Sequence, residues 1–579
     1  MRDISCGIRR KEMEKEILQV VPLSSLYKVF PESEPESSKT GCFTALKNEP
    51  LSVQFAYRLG DYKDDNLSLN VKIETDLPVS LYSVGYVPVA HTQVSELTDH
   101  YAPGLFPDIL FPKKVNPEIK KLHPFPPVNT EVGEKIVLHA GKDCWKSIWL
   151  TFGEKKECPA GEHTVKVTFY SRIDCAPVGE CSIKVKIINA KLPRQTLKYT
   201  NWLHCDCIAD VYGVEMFSDR FFTIFERFVR AAAQNGMNTL LTPCFTPPLD
   251  TEHDEYRRTA QLVKVAVVDG EYQFDFSLLK RYMDIAKKCG IRYFEHSHLF
   301  SQWGAEYPPQ IIATVNGRER RIFGWHTKAC GKKYAEFLRT YIPALLEFLK
   351  QEKSDKKFLF HISDEPSEGH LNSYKKAKSL IGDMLEGYTM IDALSSYELY
   401  EKGAVETPVV STNNVQDFKG RCKSYWCYYT GGEVKEGQSN RFIVCSSERN
   451  RMLGIQMYTG QVEGFLHWAL NYYYDIASQG VFDPSKDPDG YSGRAAGTTY
   501  FVYPAADGEV YQSVRQKIFY EGINDWRALK LLERLKGRKF VESLIEQAYG
   551  KVDFFTPAES EEKLLSFREE VNRRIEESL

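Results

Sequence analysis

The chain has 579 residues, 42% hydrophobic and 26% charged, which is enough apolar material for a large core spread over more than one domain. A formal net charge of -3 leaves no basic footprint, which argues against nucleic acid and against an anionic membrane surface as partners. No window is apolar over the length of a bilayer span, so no stable membrane insertion is expected, and the opening MRDISCGIRRKEMEKE lacks the apolar run of a secretory signal, so a cytoplasmic location is expected.

From Leu51 to Ala190 the pattern has period two. LSVQFAYRL, LSLNVKIET, KSIWLTFGE, EHTVKVTFYS and ECSIKVKIINA alternate apolar with polar residues between Gly, Pro and Asp turns, which predicts an antiparallel β-sandwich over residues 1–190. His100 to Asn129 breaks the alternation with prolines and reads as a long ordered loop. Lys191-Leu192-Pro193-Arg194 is the expected linker, and beyond it the period changes.

Over residues 195–507, short apolar strands alternate with amphipathic helices. The strands are expected at Thr200–Cys207, Asn238–Cys244, Arg292–Leu299, Lys357–Ser363, Tyr388–Leu394, Pro408–Thr412, Ser424–Tyr429 and Gly464–Leu470. Helices are expected at Asp219–Asn235, Leu278–Cys289, Lys332–Lys353, Asn372–Leu385 and Glu448–Gly460, with the Thr412–Ser424 connection too short for a full one. This order predicts an α/β domain, a TIM-like (β/α)8 barrel whose chemistry sits at the carboxyl ends of its strands. Residues 508–579 become charged helices, notably Ser513–Tyr520, Asp525–Leu535 and Glu559–Glu577, and read as an α-helical extension packed on the barrel.

The stretch that organises the rest is KKFLFHISDEPSEG, Lys356 to Gly369, an apolar run that ends abruptly in Asp364, Glu365 and Pro366. Neighbouring side chains on a regular strand point to opposite faces, so the two acids can converge only if the strand stops there. Pro366 favours that stop, since it offers no ladder N–H. The plain alternative is that Asp364 caps the next helix and Glu365 is a solvated first-turn acid. In a barrel, the strand ends would also gather Trp202, His204, Asp206, Thr242, His296, His298, Asp392, Asn413, Trp426, Tyr428, Trp468, Asn471 and Tyr472. Carboxylates, neutral hydrogen-bonding groups and indoles without a lysine or arginine cluster suit an uncharged sugar and suit phosphate badly.

Conventional glycosidase carboxylates stand at least about 5 Å apart across the sugar, which sequence neighbours at one strand end hardly achieve. Neighbouring acids point instead to substrate assistance, in which a 2-acetamido group is the nucleophile, Asp364 orients it, and Glu365 is the acid/base. His296-Ser297-His298 could bind a metal, but the first strand offers only His204 beside it, and a sugar contact or a structural role is favoured. Asp392 is either a hydroxyl acceptor or a helix cap, and Asn471 is an amide in need of a partner. The fourteen cysteines are scattered and read as reduced thiols. Cys205-Asp206-Cys207 has no second pair to complete a zinc site, so neither metal nor cofactor is expected.

The S-D-E-P turn, the later SYWCYY, GFLHWALNYYY and YFVYP segments and the closing RQKIFYEGINDW run resemble glycoside hydrolase family 123, over most of the chain. The resemblance implies retaining exo-cleavage of terminal β-linked N-acetylgalactosamine, notably from glycosphingolipid glycans, through an oxazolinium-type intermediate. The family's Asp-Glu pair falls on Asp364 and Glu365. Its pocket residues fall loosely on Trp426, Tyr428, Trp468 and Asn471, with Tyr428 or Tyr472 supplying a hydroxyl to the acetamido oxygen. The rivals are a β-N-acetylhexosaminidase of other specificity, a non-catalytic carbohydrate-binding protein and a metal-dependent hydrolase.

Overall fold

The computed structural model describes residues 17–36, 42–94, 101–119, 137–478, 480–490 and 493–579. The chain divides into two compact units. One holds the described residues of Met1–Tyr86, Leu110–Leu192 and Glu561–Leu579; the other holds those of Val87–Ile109 and Pro193–Ser560.

In the first unit, Leu18–Ser24, Leu51–Leu59, Lys146–Phe152 and Val79–Val89 lie side by side in one antiparallel sheet, with Phe55 opposite both Pro22 and Ile148. A second sheet runs Cys42–Leu46, Pro177–Ile188, Gly161–Ser171, Asn66–Glu74, Leu138–Gly141, and only its first pairing is parallel. Alternation turns every second side chain inward, so that Phe55, Leu69, Leu150, Val167, Phe169 and Val185 share one buried cluster. Within the stretch expected to be a loop, Gly104–Lys113 is a strand, because Phe106, Ile109 and Leu110 bury their side chains between the prolines. His100 and residues 120–129 of that stretch lie outside the described residues. The closing helix Glu561–Glu576 groups with this unit, tied by Arg568 to Glu49 at 2.7 Å, while Val514–Lys536 and Arg538–Tyr549 group with the other.

The second unit carries the mixed α/β part. Lys198–Asn201, Gly464–His467, Trp426–Tyr428, Thr407–Ser411 and Ile391–Ala393 form a five-stranded parallel sheet in that order. Thr239–Thr242, Tyr293–His296 and Phe358–Leu359 form a three-stranded parallel one. The ladders therefore record two sheets, and not a single closed ring of eight. Their edges touch at a parallel bridge, Phe360 with Met390, and where the Asn238 side chain accepts from Tyr199 N–H at 2.9 Å.

Each expected strand is present, and all but Thr407–Ser411 are shorter, because several carboxyl ends break into turns. Cys205, Cys207 and Asp206, expected in the first strand, instead open a short helix, Cys205–Val211. The main helices are Asp219–Ala233, Ser277–Cys289, Lys332–Gln351, Leu371–Ser379 and Ser447–Gly460, and the short connection holds only Val415–Phe418. A four-stranded excursion, Glu271–Asp275, Lys264–Val268, Ile311–Val315 and Arg318–Phe323, stands apart from the parallel sheets.

Val514–Lys536 is one helix where two were expected, and its start is fixed by a buried ion pair. Arg515 Nε donates to both Asp108 oxygens, at 3.1 and 3.0 Å, while its Nη1 donates to the carbonyls of Arg441 and Gly497 at 2.9 Å. Asp108→Ala strands this guanidinium, and the expected loss is about 3–5 kcal/mol of unfolding free energy, read from the urea midpoint. A loss below about 1 kcal/mol would show that the carbonyls alone hold Arg515.

Candidate active site

The last ladder pairing before the acids is at Leu359, and the bridge at Phe360 closes that strand. The chain then turns so sharply that Glu365 takes φ +45, a left-handed conformation costly for a residue with a Cβ. Two backbone bonds hold it there: Trp303 N–H donates to Asp364 O at 3.0 Å, and Glu365 N–H to Ala393 O at 3.1 Å. Asp364 and Glu365 consequently line the same cavity of about 200 Å³, with Trp202, His204, Arg257, Gln302, Tyr428 and Trp468 among its walls.

The two acids differ in surroundings. Asp364 is buried and its Oδ2 accepts from Gln302 Nε2 at 2.8 Å. Burial, and then the neighbouring Glu365 carboxylate, push its pKa up to about 7. Glu365 is exposed towards the opening, and its Oε1 accepts from the Tyr428 hydroxyl at 2.8 Å.

Beneath them lies a buried network. Asp392 receives Ile362 N–H at 3.0 Å and the Tyr374 hydroxyl, so it fixes the backbone two residues before Asp364. His361 lies against Asp392 at 3.3 Å and Glu295 at 3.1 Å, and the two carboxylates outweigh burial and raise its pKa to about 9. It is therefore an imidazolium at neutral pH. Trp202 Nε1 donates to the same Glu295 oxygen at 3.0 Å. His298, ring to ring with His361 at 4.4 Å, has its pKa pushed well below the usual value by burial and by that positive neighbour. Its Nε2 stands 4.0 Å from Asp364 Oδ1. His298, His361 and Asp392 bring one ligand-type atom each within 4.8 Å of one another, yet both ring nitrogens of His361 are already engaged by carboxylates, so the trio is built to hold a proton and fits a cation poorly.

Of the side chains expected to meet a sugar, His204, Tyr428 and Trp468 line the cavity with the two acids. His204 is neutral, its pKa lowered to about 4 by burial and by Arg257; its Nε2 donates to Trp468 O at 2.9 Å. His298 and Asp392 lie one layer below. His296 does not reach the cavity: it faces helix Lys332–Gln351, where its Nε2 meets the Tyr341 hydroxyl at 2.8 Å. Trp426 is packed in the core beside Gly464, whose missing Cβ makes room for the indole. Asn471 spends its amide on the backbone, accepting from His204 N–H at 2.9 Å and donating to His204 O at 3.1 Å. Tyr472 supports Trp468 and donates to Asp475 O at 3.2 Å. Thr242 and Asn413 are also engaged, with Leu240 O and with Gln438.

Among the lining residues that escaped the sequence reading are Asp250, Arg257, Gln302 and Arg494. All four come from long connections with no periodic signal. Arg257 is neutralised by Asp206 through bonds of 2.8 and 3.0 Å. Gln302 bridges the acid to a neighbouring loop, since its Oε1 accepts Asp250 N–H at 3.0 Å.

The catalytic-domain model of glycoside hydrolase family 123 matches residues 202–532. A solved family 123 glycoside hydrolase from Clostridium perfringens, described for glycolipid glycan hydrolysis, shares the fold at TM-score 0.70 and 13% identity, over 97% of this chain and 99% of that one. A family 39 glycoside hydrolase from Bacteroides cellulosilyticus WH2 aligns at TM-score 0.32 and 9% identity, over 83% and 81% of the two chains. No curated protein matches the chain.

Gln302 supplies a hydrogen bond that favours the ionised form of Asp364. In Gln302→Leu the Asp364 carboxyl should titrate higher still, so the acidic limb of kcat/KM should move up by about one pH unit. An unmoved limb would show that Asp364 need not be ionised in the free enzyme.

Proposed function

The chain belongs to glycoside hydrolase family 123, and from that we propose that it is a retaining exo-β-N-acetylgalactosaminidase working by substrate assistance. The observation that carries this reading is the pairing of two sequence-adjacent acids on one small cavity, one buried and anchored by Gln302, the other exposed and bonded by Tyr428. Cavities that enclose drug-sized ligands span about 300–1,000 Å³, so about 200 Å³ suits a single sugar ring at a chain end. We read the two parallel sheets as halves of a (β/α)8 barrel with the site at its carboxyl ends, and the first unit as a β-sandwich.

Asp364, ionised, accepts the acetamido N–H and so pushes electron density onto the amide oxygen. That oxygen attacks the anomeric carbon as the bond to the leaving oxygen breaks, and Glu365 donates a proton to the departing oxygen. The oxazolinium intermediate is then opened by water, whose proton returns to Glu365, and two inversions give retention. Burial and the Glu365 carboxylate raise the Asp364 pKa to about 7, and the productive arrangement is the one with Asp364 ionised and the proton on Glu365. Tyr428, which lines the cavity, is the hydroxyl we assign to the amide oxygen, since Tyr472 is not among the lining residues. Trp468 offers a half-buried indole for the apolar face of the sugar. The natural substrates we propose are glycans of the glycolipid type, in keeping with the Clostridium perfringens relative.

Glu365→Gln and Asp364→Asn should each lower kcat by roughly 10²–10⁴-fold on N-acetylgalactosaminides. The Glu365 loss should shrink with an activated aryl leaving group, which needs no proton, whereas the Asp364 loss should not. Near-normal turnover in both variants would refute the mechanism. A paired assay with the two chromogenic N-acetylhexosaminides decides between this specificity and the N-acetylglucosamine epimer, and sugar binding without turnover would favour a carbohydrate-binding protein.

A further inference from the structure

Glu365 and Tyr428 are shared by two cavities. Beyond the cavity already described they border a groove of about 520 Å³, whose other walls come from the Pro366–Gly369 turn and from Leu394–Ser396. A general acid must stand between the sugar it releases and the group that leaves, so a space that meets the first cavity at Glu365 is where the leaving group lies. The second neighbouring cavity, built around His91, Gln93 and Gly431, meets the first one through Thr430, Trp468 and Arg494 and does not include Glu365.

The groove has a definite chemistry. Pro366 and Leu394 give it a buried apolar base. Ser396 donates to Glu368 Oε1 at 3.0 Å, which turns an exposed carboxylate across the groove and leaves Oε2 with no partner among the described residues. No lysine, arginine or histidine lines it among the described residues. Lys402, which feels the charge of Glu368, is tied to Glu398. With the proton on Glu365 as the mechanism requires, the groove presents one carboxylate, Glu368, and no cation lines it among the described residues.

We infer that this groove is the leaving-group subsite, and that Glu368 makes it select a neutral hexose, whose hydroxyls donate to the free carboxylate oxygen, over a uronate or other anionic sugar. The inference rests on the hydrolase reading above and narrows its substrate class to neutral glycans. A carboxylate on the leaving sugar would face Glu368 at close range, and like charges there are repelled most at low salt.

The test uses the full chain at low ionic strength with three substrates: p-nitrophenyl N-acetyl-β-galactosaminide, and two disaccharides in which N-acetylgalactosamine is β-linked to galactose or to glucuronate. The wild type should favour the galactose disaccharide in kcat/KM by roughly tenfold. Glu368→Lys should abolish or invert that preference, and Glu368→Gln should fall between; the side chain is exposed, so both should fold, which circular dichroism checks. Equal or inverted rates in the wild type, or a preference that Glu368→Lys leaves unchanged, would overturn the inference while the hydrolase reading stands. No turnover of the p-nitrophenyl substrate by the wild type would instead overturn the hydrolase reading itself.

Discussion

Two acids that follow one another in the chain can face one cavity only where the backbone abandons the strand. Here that break is forced by a buried carboxylate. Asp392 takes the N–H groups of Ile362 and Ser363, which would otherwise continue a ladder, and the chain leaves the sheet into the left-handed turn at Glu365. Such a turn costs of order 1–3 kcal/mol and persists because its surroundings over-determine it. Trp303 N–H and Ala393 O grip it from either side.

The carboxylate that makes the break carries its own cost, which the structure offsets with charge. His361, fully buried, stays protonated between Asp392 and Glu295, and its charge also lowers the pKa of Asp364, which is nearby. Burial acts on Asp364 in the opposite direction and prevails. The result is a carboxyl poised near neutrality, which suits the proposed mechanism, in which Asp364 is ionised beside a protonated Glu365.

Much of this was legible in the sequence. The run FLFHI followed by Asp364, Glu365 and Pro366 announces a strand that stops, and the alternation of apolar runs with amphipathic segments gives both sets of strands in order. What stayed hidden has a physical cause in each instance. Asn471, Trp426 and His296 are of residue types that suit a sugar site, but strand ends also need clamps, and only tertiary packing decides which: Asn471 clamps His204, Trp426 fills the space beside Gly464, and His296 turns outward to Tyr341. Gln302 and Arg257 sit in connections without periodicity, where no pattern marks a side chain as inward. Gly104–Lys113 was concealed by prolines, and the single helix Val514–Lys536 by a charged middle whose residues Glu521 and Asp525 are buried against Arg451.

In the proposed mechanism the substrate's own amide, held by Asp364, is the nucleophile. A crystal structure of the protein soaked with the thiazoline analogue of N-acetylgalactosamine tests it most directly. An Asp364 oxygen is expected at hydrogen-bond distance, about 2.6–3.0 Å, from the thiazoline nitrogen, with Glu365 apart from the five-membered ring. The thiazoline bound with its nitrogen away from Asp364, or a covalent sugar ester on either carboxylate after reaction with a slow substrate, would contradict it.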